Sequence, residues 1–410
     1  MDITEIISLF NDQMKIKKYL KKDYIKTYPE SQNAGATHVV FRCHALTDKL
    51  IDYSDSYFLF KGYLTAAAAG DMIALQNGSN CIFKDVKLSF NNNEVEHNRR
   101  PYLSTTWLNL LEFSPDYAGS VAVQHGFVKD KQTGSGDNAS LQIRKTITND
   151  GFDANNGLSI TVKVPLKYIS QFARRLTFPI MNQLFQIEMD INDHNLAILR
   201  DGAQASQISL QSIEFVAPEV VLPTSENNKL MSALASNNFT KELSWDAAEF
   251  ILEGRQVQAN QQFDVLLGTN LPGVQKLLFM VHAHVNDQEY VQTASDISIT
   301  NFNVQIDSKD LYNMLVSTDQ EAYELVSQNF NVGGKDYNTG SLLPYTEWKN
   351  TYRLYALDLS RQEVFEGDPN KVQQIRLRGT ASANGTLLII LMKNKKTHID
   401  FANPQNTKTI

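Results

Sequence analysis

From His38 onward the chain is written in a period of two. HVVFRCHAL (38–46), CIFKDVKLSF (81–90), LSITVKVPL (158–166) and LFQIEMDI (184–191) alternate apolar with polar residues or are rich in β-branched and aromatic ones. Alternation puts successive side chains on opposite faces of a strand, so each run has one face that must be buried against a second sheet. Turn formers separate the runs: NNNE at 91–94, TGSGDN at 133–138 and NDGFDANNG at 149–157. ASQISLQSIEFVAPEVVLP (205–223) leads into a polar crossover, 224–244. The strand pattern then resumes with QQFDVLLG (261–268), QKLLFMVHAHV (275–285), DISITNFNVQI (296–306), VQQIRLRGTA (372–381) and TLLIILMK (386–393). Helical spacing interrupts it at YLSTTWLNLLEF (102–113) and DLYNMLVSTDQEAYELVSQN (310–329). With 410 residues the chain is too long for one ordinary core. The prediction is an all-β protein of two large antiparallel sandwiches in tandem, with short helices confined to loops and an N-terminal arm.

The arm has its own character. Ile3, Ile6, Ile7 and Phe10 recur at helical spacing, and Ile16, Tyr19 and Leu20 follow. Between Lys15 and Lys26 lie six lysines and one acid, Asp23, so a helix here carries a basic face. Such a face suits an anionic membrane, nucleic acid or a partner, and equally suits plain solvent. KTYPESQNAGATH (26–38) reads as a linker.

Composition excludes several function classes. The net charge of −7 gives no reason to expect a surface built for phosphate backbones. Two cysteines, Cys43 and Cys81, cannot build a disulfide framework or a zinc cluster. MDITEIISLFNDQMK lacks the marks of a secretory signal, and no run reaches the roughly 18 apolar residues of a membrane span, so synthesis in cytoplasm or nucleus is expected. The N-x-S/T triplets at Asn77, Asn138, Asn238 and Asn384 are then expected to be unused.

Chemistry is sparse. No nucleophile elbow, phosphate loop, dinucleotide motif or H-E-x-x-H occurs, and GGKDYNTG (333–340) reads as a turn. His282 and His284 would share one face of a strand, but Asp287 and Glu289 lie beyond its end, so a solvated or interface face is expected and no metal. No catalytic residue and no cofactor site is assigned.

CIFKDVKLSFNNNEVEHNRRPYLSTTWLNLLEFSPDYAG (81–119) resembles the first jelly roll of the double jelly-roll major capsid proteins of the virophage, Polinton and adintovirus type. Phe83, Asp85, Val86, Leu88, Asn91, Tyr102, Leu110 and Leu111 occupy the matching places, with Asn91–Asn92 where the family has Asn-Gly. VPLKYISQFARRLTFPIMNQLFQIEMDI (164–191), WKNTYRLYALDLSRQE (348–363) and RLRGTASANGTLLIILMKNKKTHIDF (376–401) are similar to later segments of that family, in the same order.

The resemblance implies a double jelly roll: an N-terminal helical arm and linker (1–35), a first jelly roll (36–217), a crossover (218–237), a second jelly roll (238–402) and a tail (403–410). It implies a non-enzymatic major capsid protein that forms a pseudo-hexameric homotrimer in the icosahedral shell of a small dsDNA virus or virus-like element. Partners would be neighbouring capsomers, penton and minor capsid proteins, with the arm toward the capsid interior and no sequence-specific nucleic-acid recognition. The location would be the virion. Loops 114–157 and 307–347 would meet neighbouring copies, with Phe127, Tyr312, Leu315 and Tyr323 as candidate trimer contacts. Two readings from other classes stay open: a tandem jelly-roll hydrolase of the glycoprotein-amidase kind, and a carbohydrate-binding sandwich. The first wants an export signal and a carboxylate cluster; the second wants exposed aromatic platforms, for which three tryptophans leave little material.

Overall fold

The computed structural model of the protein describes residues 21–30, 37–45, 50–202, 204–235, 240–268, 273–330, 341–359 and 374–409. Its principal strands in the first half are β1 (Lys21–Thr27), β2 (His38–Ala45), β3 (Tyr57–Leu64), β4 (Phe83–Phe90), β5 (Asn93–Arg99), β6 (Gly157–Pro165), β7 (Gln183–Ile191) and β8 (Ile208–Val221). They form two antiparallel sheets, ordered β1-β8-β3-β6 and β2-β7-β4-β5. The second half holds β9 (Thr240–Val257), β10 (Gln262–Gly268), β11 (Val274–His282), β12 (Ile299–Ile306), β13 (Lys309–Asp310), β14 (Tyr355–Asp358), β15 (Ile375–Ala381) and β16 (Gly385–Asp400). Its sheets are ordered β9-β16-β11-β14 and β10-β15-β12-β13. Counted from the first strand of each half, both read 1-8-3-6 against 2-7-4-5. The halves are one topology used twice, a duplication that residue identity does not betray.

Period-two patterning decides which face each strand buries. Phe58 and Phe60 of β3 point inward with Phe215 of β8 and meet Phe41 and Phe83 from the opposing sheet, with Phe58–Phe215 centroids 4.9 Å apart and Phe60–Phe83 5.2 Å apart. Tyr53 closes the cluster against Phe185 at 4.2 Å. In the second half β11 and β16 lose the alternation: Leu277–Val281 and Leu387–Met392 are buried throughout. A run without polar alternation needs cover on both faces. Ring contacts from Phe302 to Phe279 and Tyr355 close the inner face, and helix Asp319–Ser327 packs on β14 at the sheet's edge.

The longer helices among the described residues are α1 (Pro101–Glu112), α2 (Ala139–Thr148), α3 (Gln171–Arg175), α4 (Thr224–Ala235), α5 (Asp319–Ser327) and α6 (Tyr345–Asn350). Every residue of α1 from Pro101 to Leu111 is buried, so this helix is a core element and not a surface one. None of the described helices is long and apolar enough to cross a membrane.

Two expectations need correction, and others fall outside the described residues. Residues 1–20, the greater part of the anticipated helical arm, lie outside the described residues. Lys21–Thr27 is no helix: it is an edge strand, paired from Lys21–Val221 to Thr27–Phe215. These seven residues, KKDYIKT, carry no apolar period of their own, so pairing with Phe215–Val221 decides their conformation. The helix expected over 310–329 shortens to Asp319–Ser327, because Thr318 and Glu321 form a capping box that starts it there. The tail is no free end: Lys408–Thr409 pairs with β16. GGKDYNTG falls outside the described residues.

Gly157 opens β6 at φ +101°, and a Cβ there would lie 2.3 Å from the Leu64 carbonyl oxygen. Gly157→Ala must therefore both adopt a backbone region closed to L-residues and push β3 away. The expected loss is at least about 1–3 kcal/mol, measured as a shift in the urea midpoint at unchanged slope.

Candidate functional site: the seam between the two sandwiches

The chain gathers its buried polar groups where the two sandwiches meet. At the centre lies a charge pair from the first half. Arg144 on α2 donates through Nη1 to Asp130 Oδ1 at 2.9 Å, and the two side chains are 1% and 0% exposed. Asn138 caps α2 by accepting the Ser140 N–H and donates its own amide to Asp130 at 3.0 Å. The second half completes this centre with one side chain. Tyr352 accepts the Asp130 N–H at 2.8 Å and turns its hydroxyl toward Asp130 Oδ2, 3.4 Å away. Burial pushes the Asp130 carboxyl up while Arg144 pulls it down, and burial raises the Tyr352 phenol, with the Asp130 charge adding to the effect.

Around this centre, residues 287–295 of the second half are bonded into the first. Val291 N–H reaches Thr133 O at 2.8 Å, Ser135 N–H reaches Glu289 O at 2.8 Å, and Thr351 Oγ1 donates to Lys131 O. Trp107 of α1 donates its indole N–H to Thr293 O at 3.2 Å. Two glutamines act as rivets. Gln76 donates to Tyr290 O and accepts the Gln292 N–H, while Gln288 exchanges hydrogen bonds with Ser206 in both directions.

A second zone lies at the other end. Glu96 of β5, buried, accepts Ser170 Oγ and the N–H groups of Gln171 and Phe172, which fixes α3. Phe172 then meets Trp245 of β9 edge-on at 5.3 Å. The Asn91–Asn92 hairpin turn has φ of 49° and 67°, the left-handed geometry of a two-residue turn that asparagine tolerates. Its Asn91 side chain accepts Leu184 N–H and donates to Pro404 O at 3.0 Å, and Asn93 donates to Thr407 O. The last residues therefore lace the second sandwich to a turn of the first.

The residues singled out in sequence fall in different places. His282 ends β11 and is buried, with Nε2 on the Val291 carbonyl at 2.8 Å and Nδ1 accepting His284 N–H at 3.0 Å. The expected shared strand face does not form, because the strand stops at His282 and His284 turns away to stack on Tyr290 at 3.7 Å. Phe127, expected at an interface, is 1% exposed and packs on Phe113 within its own sandwich, so its ring is not offered to a neighbour. Tyr323 is half-buried between Phe330, Tyr345 and Trp348, and its hydroxyl donates to Leu343 O. Tyr312 is half-buried, whereas Leu315 is exposed. Asn77 and Asn138, the starts of N-x-S/T triplets, are both buried.

Sequence reasoning missed Asp130, Arg144, Tyr352, Gln76 and Gln288, since single polar residues outside the strand pattern carry no periodic signal. The one usable hint was the TGSGDN turn ending in an N-cap asparagine before α2.

Reactive groups are disarmed here. Both thiols are buried and pushed up to about 12, far from a nucleophile's range. Among the described residues no group of three or more His, Cys, Asp and Glu side chains is placed to hold a metal. An open polar groove of about 1120 Å³ runs between the halves, lined by Lys84, Arg100 and His194 on one side and Gln256, Asn286 and Thr386 on the other. The arrangement positions two sandwiches against each other.

No protein-family model matches this chain, and no curated protein does. Solved structures do. A chain of the Sputnik virophage aligns over 96% of this chain and 89% of its own at TM-score 0.63 and 10% identity. The mavirus major capsid protein aligns over 94% and 90% at TM-score 0.60 and 10% identity. The Faustovirus major capsid protein aligns over 94% and 92% at TM-score 0.56 and 10% identity. The fold is the double jelly roll. At one residue in ten identical, what these chains share is the path of the backbone through both sandwiches, so the seam just described is built from this chain's own side chains.

Two outcomes follow for the double jelly roll. Tyr352→Phe strips the hydroxyl from a buried centre and leaves the Asp130 N–H unpaired, so stability should fall by about 1–3 kcal/mol in denaturant melts. Burial holds the His282 imidazole below its ordinary 6.5, against the pull of the Val291 carbonyl. The folded state thus binds this proton more weakly than the unfolded one, and the stabilisation is full above pH 6.5 and declines as pH falls below it. His282→Gln keeps a donor for Val291 and an acceptor for His284 without titrating. The decline in melting temperature between pH 7 and 5 should be shallower in this variant than in the parent.

Proposed function

We propose that this protein is a major capsid protein of the virophage, Polinton and adintovirus type, assembling as a homotrimer in the icosahedral shell of a small dsDNA virus or virus-like element. The single observation behind this reading is the end-to-end likeness: both sandwiches and their connection follow the mavirus and Faustovirus capsid chains over nine-tenths of each.

The seam supports the same reading. Three copies of a chain with two similar sandwiches present six, and a pseudo-hexagonal tile forms only if the pair in each copy keeps a fixed angle. Hydrogen bonds that cross the seam at three separated places supply that rigidity. The disarmed thiols favour a structural over an enzymatic role. In this reading the protein resides in the virion, contacts neighbouring capsomers, penton and minor capsid proteins, and directs its N-terminal arm toward the capsid interior.

The purified chain should elute with three times its own mass in size-exclusion chromatography with light scattering, at micromolar concentration and in high salt. Negative-stain images should show hexagonal outlines. A monomer, or a two-fold dimer, under those conditions would reject the capsid reading.

A further inference from the structure

Resting on the capsid reading, we infer that the trimer is closed by a specific heterologous contact: a rigid apolar knob on the second sandwich of one copy docks on a tyrosine–lysine sheet face on the first sandwich of the next.

The knob is residues 311–316, between β13 and α5. Its tip holds Met314, 75% exposed, and Leu315, 43% exposed, side by side. Exposed apolar pairs normally sit on pliable loops; this one is tied down. Phe302 and Val316 exchange both backbone hydrogen bonds, at 3.1 and 3.0 Å, and Leu311 N–H donates to Val304 O at 2.7 Å. Asn303 accepts the Tyr312 N–H at 3.3 Å and donates to the Tyr312 carbonyl at 2.8 Å. A loop ordered before contact loses little entropy on docking. Beside the tip, α5 presents two exposed acids. Glu321 is held below the usual carboxylate range by the N–H groups of Ser317 and Thr318, and Glu324 lies one turn on. Lys309 is exposed at the foot of the knob.

The complementary surface is the outer face of the sheet β1-β8-β3-β6. Register places Tyr57, Leu59, Lys61 and Tyr63 of β3 on that face, with Lys163 of β6 directly opposite Leu59. Their neighbours Phe58 and Phe60 point the other way into the core. The three apolar side chains are half-buried, while Lys61 and Lys163 are exposed. Lys163 lies over the Tyr57 ring at 4.0 Å, so its charge sits on an aromatic platform. Lys26 at the edge is neutralised by Glu214 at 2.9 Å, which leaves Lys61 and Lys163 to set the sign.

Acid beside an exposed apolar tip and base beside tyrosine rings are complementary. Within one chain the surfaces do not cover each other, since Met314, Lys61 and Lys163 are all exposed. The two therefore meet only between copies. Such a contact uses different surfaces on its two sides, and it terminates as a ring where the rotation closes.

The test uses the full chain. Met314→Asp with Leu315→Asp, and separately Lys61→Glu with Lys163→Glu, should each raise the concentration at which half the trimer dissociates by tenfold or more, with melting temperature and far-UV circular dichroism unchanged. Glu324→Lys, combined with the lysine reversal, should restore the trimer in part. If the parent is a trimer and the double-aspartate variant dissociates at the same concentration, the knob is not the contact, while the capsid reading stands. If the parent is a monomer, the capsid reading itself falls. If the lysine reversal leaves the trimer intact but abolishes binding of a fluorescent single-stranded oligonucleotide, the face is a nucleic-acid platform and the inference is overturned.

Discussion

The centre of the seam between the two sandwiches is organised by the buried carboxyl of Asp130. A carboxylate removed from water in a protein interior is tolerable only where a positive charge and further donors replace its hydration. Arg144, Asn138 and the Tyr352 hydroxyl do so here, and the last belongs to the other half of the chain. The first sandwich is thus electrostatically incomplete without the second. Hydrophobic burial would hold the halves together in many relative orientations. A hydroxyl that must reach both the N–H and the carboxylate of one aspartate permits very few.

The two sheets with strand order 1-8-3-6 show how one topology accommodates different surroundings. In the first half the outer face of this sheet alternates and carries Tyr57, Lys61, Tyr63 and Lys163, as a surface exposed to solvent or to another chain must. In the second half Leu277–Val281 and Leu387–Met392 are apolar on both faces and covered on both. The halves share connectivity, and their surfaces have diverged toward different neighbours.

Three side chains are held in unreactive states by their surroundings. Cys43 and Cys81 sit in apolar surroundings that hold them as thiols, and His282 has both ring nitrogens occupied by backbone groups. Gln76, Gln288 and Tyr352 face the other sandwich, where their hydrogen bonds set orientation.

Much was legible in the residues alone, because burial on one face of a sheet imposes a period that survives in the sequence. The strands around Phe41, Phe83, Ile160, Ile187, Leu277 and Ile389 follow from alternation or continuous apolar runs bounded by turn formers. Asn91–Asn92 marks its hairpin because asparagine tolerates positive φ. The edge strand Lys21–Thr27 was not legible, because its role is set by pairing with Val221–Phe215, some 190 positions away in sequence. The same holds for the seam. Asp130, Arg144 and Tyr352 announce nothing locally, and only tertiary structure brings together loops from both halves, so that a charge pair in one sandwich is completed by a phenol from the other. Periodicity is a property of single elements and is written into them; orientation between elements is a property of long-range contacts, which leave no period to read.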